Sequence, residues 1–166
     1  MKNFILLCAL LFAGVQLFAQ EKAPASPPAK AMATVGTTSV TINYSSPSVK
    51  GRKIWGGLVP YGEVWRAGAN ESTTFEVSND VTIDGKTLPK GKYAFFVIPN
   101  EKEWTIIFNK GIAWGAYSYK KTEDVLRLTV PIKKAKAMTE RLVYEISDKG
   151  EVCLSWENDM ACFNVK

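Results

Sequence analysis

The sequence predicts an all-β protein: an antiparallel β-sandwich of jelly-roll or immunoglobulin-like type, with long irregular loops at one rim. Three observations carry this. Apolar/polar alternations recur about every 8–12 residues, turn residues separate them, and no long segment keeps the 3.6-residue apolar period of a helix. Many short, evenly spaced strands are what a sandwich or barrel requires.

Taken in order, Val40, Ile42 and Tyr44 alternate with Thr41 and Asn43, a half-buried strand. Phe75 and Val77 alternate with Glu76 and Ser78. The run Val81-Thr82-Ile83 meets Asp84-Gly85, the strongest short hairpin signal. A turn at Leu88-Pro89-Lys90-Gly91 leads into residues 92–98 (KYAFFVI), apolar on both faces and therefore a central strand. Pro99-Asn100 turns the chain into residues 104–108 (WTIIF), a second core strand. In residues 125–130, Leu126, Leu128 and Val130 alternate with Arg127 and Thr129. A helix over 122–128 is the rival reading, and β-branched content and the following Pro131 argue against it. Leu142, Tyr144 and Ile146 repeat the alternation, then Val152, Leu154 and Trp156, and Phe163 and Val165 close the chain.

Ahead of these strands, residues 1–19 read as a cleaved export signal. Lys2 supplies the positive start, 4–18 is apolar, and Leu17-Phe18-Ala19 resembles a cleavage site before Gln20. The apolar run is shorter than the roughly 20 residues a membrane span needs, so the mature chain is expected to carry no transmembrane segment. Cys8 lies too early in the run for lipidation. Removing residues 1–19 leaves 147 of 166. Residues 20–30, rich in Pro and Ala, read as an extended tether, and 31–166 as a single domain.

Composition works mainly by exclusion. The chain has no histidine, which removes Ser-His-Asp and Cys-His nucleophiles, imidazole bases and most catalytic zinc sites. No metal and no cofactor are expected. The net charge of +5 falls to about +4 when Lys2 leaves. Its densest basic cluster, Lys133, Lys134 and Lys136, lacks interleaved aromatics and reads as a solvated loop, so no nucleic-acid partner is expected.

Cys153 and Cys162 are the pair left after export, in an oxidising compartment. They flank Glu157-Asn158-Asp159. A hairpin centred between Glu157 and Asn158 sets them directly opposite one another, close enough to bridge. A loop that short adds only about 2–3 kcal/mol when closed.

Two segments stand outside the strand rhythm: 46–70 and 110–121. Unstructured loops longer than about 12–15 residues are usually functional or disordered, and the first carries Trp55 and Trp65 among glycines and prolines, which makes disorder a poor account. Ile54 and Trp55 read as apolar plugs. Ala67-Gly68-Ala69-Asn70 is small enough for close backbone approach, and Arg66, Asn70 and Glu71 are near enough in sequence to converge beside Trp65.

Residues 48–71 (SVKGRKIWGGLVPYGEVWRAGANE), 80–93 (DVTIDGKTLPKGKY), 103–110 (EWTIIFNK) and 114–119 (WGAYSY) closely resemble domain-of-unknown-function family 2911, DUF2911. The resemblance runs from about Ala31 to Val165. It implies a small exported bacterial β-domain and carries no activity over to this chain.

The functional reading makes Arg52, Trp65, Arg66, Asn70, Glu71, Trp114 and Tyr117 the lining of a rim pocket. Aromatics beside Arg, Asn and Glu suit a glycan or peptidic ligand. The structural reading is equally physical: Arg66 and Glu71 form a salt-bridged plug, Asn70 bonds loop backbone, and the tryptophans fill the sandwich's open end. Tyr117 and Tyr119, two residues apart, are expected on one strand face. The leading function is a non-catalytic binding module of the cell envelope, periplasmic or surface-exposed, taking a small ligand or an envelope protein. The alternative is a histidine-independent hydrolase of glycans working through carboxylates such as Glu63, Glu71 or Glu76.

Overall fold

Nine strands and two single-turn 3-10 helices follow one another across residues 24–166, the part described by this computed structural model. The expected export signal at 1–19 lies outside the described residues. The strands are β1 (Pro28–Val35), β2 (Thr38–Ser45), β3 (Thr74–Val77), β4 (Val81–Ile83), β5 (Lys86–Leu88), β6 (Gly91–Pro99), β7 (Glu103–Asn109), β8 (Asp124–Ile146) and β9 (Glu151–Asn164). Seven of them form one antiparallel sheet in the order β1-β2-β3-β6-β7-β8-β9, and β4–β5 is a separate hairpin.

The large sheet curls far enough to bring its β1–β2 end against β8. The chain after β2 bridges to the second half of β8 at Ser48 and Arg141, with Val49 N–H on Glu140 O and Leu142 N–H on Pro47 O. The curled sheet thus faces the core from opposite sides, as the two layers of a sandwich do, and the β4–β5 hairpin (Val81, Ile83, Leu88) and the loop residues Ile54, Trp55 and Val59 complete the enclosure. β9 doubles back on itself at Glu157, which takes the left-handed conformation (φ 55°). Its limbs are joined by the Cys153–Cys162 disulfide (Cα–Cα 4.2 Å) and by Val165 N–H on Gly150 O. The expected bridge and hairpin are both present.

As its sequence suggested, β6 is buried on both faces. Tyr93, Phe95 and Val97 enter the main core, while Ala94 and Phe96 join Ile107 in a smaller outer cluster covered by Val64, Ile98 and Tyr119. In the main core Phe75, Phe95, Phe108 and Phe163 pack together, with Phe75 and Phe108 edge-to-face at 5.0 Å. Burying each such ring contributes about 1.5–3 kcal/mol.

Three expectations need correcting. Pro28, Ala29 and Lys30, read as tether, belong to β1, where Ala29, Ala31 and Val35 pack on the core and Pro28 occupies the first strand position, which needs no N–H. The lysines at 133, 134 and 136 lie within the continuous 23-residue β8 and not in a loop. Register shifts between Lys134 and Val143 absorb the bend there. Finally, 114–119 is no strand: Gly115 (φ 68°) starts a 3-10 turn, so Tyr117 is 93% exposed while Tyr119 is half-buried.

Candidate functional site

Trp65 is fixed by β6. Its N–H donates to Val97 O (2.8 Å), and its carbonyl accepts the return bond from Val97 N–H (2.9 Å), so this loop residue is held as if it were a strand. The two-residue alternation then sends Val64 to the outer cluster and Trp65 to the main core. Its indole Nε1 donates to Gly68 O at 3.1 Å. Trp65 lies near-parallel to Trp156 (5.8 Å, 16°) and edge-on to Trp55 (5.7 Å), and Trp55 also meets Trp104 at 4.5 Å. Trp55, Trp104 and Trp156 are buried and fill the end of the core, which is the plug the structural reading expected. Trp65 is half-buried and completes that plug from outside.

The turn after Trp65 is locked from beneath. Ala67 takes φ 51° and Asn70 φ 57°. Ala67 is fully buried, and its carbonyl accepts Tyr144 OH (2.7 Å) and Thr73 Oγ1 (3.1 Å). Burial pushes the Tyr144 hydroxyl well above its ordinary pKa of 10.0. Gly68 is required because a Cβ there would lie 2.7 Å from Thr73 Oγ1.

This scaffold brings four of the seven expected residues around one cleft of about 310 Å³. Arg52, Trp65, Arg66 and Asn70 line it with Ser26, Pro47, Leu58, Val59, Gly68, Ala69 and Trp156. A second concavity of about 270 Å³ adjoins it across a wall of Leu58, Val59, Trp65 and Arg66, and adds Glu63, Val64 and Tyr117. Arg66 Nη1 donates to Asn70 O at 2.8 Å, and Asn70 Nδ2 to Ser26 O at 3.2 Å. Arg52 Nε and Nη2 donate to Val49 O and Ser48 O.

The other two residues fall elsewhere. Glu71 lines a third concavity of about 350 Å³ beside Lys30, Asn43 and Ser72, and the expected Arg66–Glu71 salt bridge is not among the ion pairs of the described residues. Trp114 is 68% exposed and lines none of the three, although its neighbour Gly115 backs directly onto Arg66, where a Cβ would stand 2.9 Å from Nη1. That loop is anchored by a part-buried polar cluster. Asn109 Nδ2 bonds Lys120 O and Asp124, Tyr119 OH donates to Asp124 Oδ2 (2.8 Å), and Arg127 clasps both. Burial, and then the bond to Asp124, raises the Tyr119 hydroxyl's pKa.

Sequence reasoning missed Trp156, Leu58, Val59 and Glu63 as lining residues. For Trp156 a signal existed: it immediately precedes the Glu157-Asn158 turn, so it sits at a hairpin tip and therefore at a rim. Among the described residues the one cluster with metal-ligand proximity is Glu151, Cys153 and Cys162, whose two sulfurs are spent in the disulfide. A family model described as a protein of unknown function, DUF2911, matches residues 26–165. No curated protein and no solved structure matches the chain.

Proposed function

This chain belongs to the DUF2911 family of proteins of unknown function, and we propose that it is a non-catalytic binding module of the bacterial cell envelope. Its ligand is a short glycan or peptidic segment laid across the Trp65–Arg66 wall. The observation that carries this reading is that wall itself, shared by two adjoining concavities. It is pinned by backbone bonds to β6 and by ring contact with Trp156 of β9. Rigid aromatic surface beside a few polar groups is what small-ligand sites present.

Carboxylate chemistry finds less support. Glycoside hydrolysis takes two carboxyl groups facing one another across the bond to be cut. The first cleft is lined by no Asp or Glu, the second by Glu63 alone, and the third by Glu71 alone. Export is part of the proposal: the Cys153–Cys162 disulfide suits an oxidising compartment, and no helix among the described residues is long and apolar enough to cross a membrane.

The test is a screen of envelope-type oligosaccharides and short peptides by calorimetry, repeated on Trp65→Ala. Saturable binding that Trp65→Ala abolishes, with every ligand recovered intact, is the expected result. Turnover of any ligand that Glu71→Gln removes would instead establish the hydrolase, and binding indifferent to Trp65→Ala would move the site elsewhere.

A further inference from the structure

Resting on that binding reading, the charges around the first cleft narrow the ligand class. Arg52 and Arg66 both line it, no Asp or Glu does, and neither guanidinium takes part in an ion pair among the described residues. Two cations in a concave, partly apolar surface raise the local potential for an anion.

The two arginines are not equivalent. Arg52 has committed Nε and Nη2 to the carbonyls of Val49 and Ser48, which fixes its guanidinium and leaves Nη1. Arg66 uses Nη1 on Asn70 O, which leaves the Nε–Nη2 edge. That edge carries two parallel N–H groups, the fork that takes a carboxylate through two bonds at once. Asn70, held by its own bond to Ser26 O, keeps its side-chain oxygen for a hydroxyl.

We propose that this cleft binds a carboxylate-bearing saccharide, a uronic-acid type of unit. Its carboxylate takes the Arg66 fork with Arg52 beside it, and its ring lies along Trp65. A sugar fits better than a peptide because the lining offers no open strand edge for an extended backbone to join: Trp65 already spends both backbone groups on Val97, and the remaining lining comes from loop residues and Trp156. At about 310 Å³ the cleft is at the small end for ligand sites, which suits one or two rings, and longer chains continue past Arg66 into the second concavity.

The experiment is calorimetry on the mature chain with trigalacturonate and with its fully methyl-esterified form, which keeps the sugar and removes the charge. Trigalacturonate should bind roughly tenfold tighter or more, with the advantage shrinking at about 0.5 M salt. Arg66→Gln and Arg66→Lys should each erase most of that gap, the lysine because it keeps the charge without the fork. Melting temperatures of both variants establish that they fold. Equal affinity for acid and ester overturns this inference and leaves the binding module standing. A peptide ending in a free carboxylate that binds while trigalacturonate does not overturns the saccharide assignment. If neither sugar binds and the wider screen is empty as well, both readings fall together.

Discussion

Ala67 is a buried, non-glycine residue in left-handed backbone, a conformation that costs about 1–2 kcal/mol. It persists because its carbonyl is gripped by Tyr144 and Thr73. Tyr144→Phe should therefore cost about 1 kcal/mol in urea denaturation, and it should change the alkaline limb as well. The buried hydroxyl's pKa lies well above the 10.0 of the unfolded chain, so the folded state holds its proton longer. Its contribution is complete below the unfolded value and is lost as pH rises from there through the folded one. Wild type should lose stability with rising pH more steeply there than Tyr144→Phe, measured by melting temperature between about pH 9 and 11. Sequence spacing made Arg66 and Asn70 legible as neighbours, since they lie four positions apart. It could not show that the tyrosine steadying them lies 77 residues away from Ala67, nor that Glu71 turns to a different concavity.

Among the elements, β9 was the most readable and β1 the least. The β9 hairpin follows from symmetry, because Cys153 and Cys162 are equidistant from the Glu157–Asn158 centre. β1 is built from Pro, Ala, Lys, Met, Thr and one Val, residues that together give a weak strand signal, and it forms because β2 offers a full ladder from Pro28↔Ser45 to Val35↔Thr38. β8 read as two strands with a basic loop between them, since exposed lysines at a bend look like a loop when pairing is invisible. Replacing both cysteines by serine should lower stability by about 2–3 kcal/mol and leave the far-ultraviolet circular dichroism unchanged. Gly150→Ala should be the harsher change. Its φ of +89° disfavours any side chain, and a Cβ would stand 2.0 Å from the Val165 carbonyl oxygen. A loss above about 2 kcal/mol in the same denaturation experiment is expected.

At the scale of the molecule, closure is the property that local patterns do not encode. Alternation announced a sandwich, yet the strand order and the meeting of Ser48 with Arg141 are set by long-range pairing. The last residues share in that closure. Val165 is fully buried, Lys166 exchanges backbone bonds with Thr82, and Asp84 N–H donates to Asn164 O. Deleting residues 164–166 should thus cost about 3 kcal/mol or more, seen as a lowered melting temperature in a single cooperative transition. The tryptophan wall has an optical consequence too. Of the four clustered indoles, Trp65 reaches both concavities and stacks on Trp156, which also lines the first, while Trp55 and Trp104 are buried behind them. A ligand entering either concavity changes the surroundings of one emitter in a set close enough to exchange excitation, so the molecule carries a built-in, label-free fluorophore for its own occupancy.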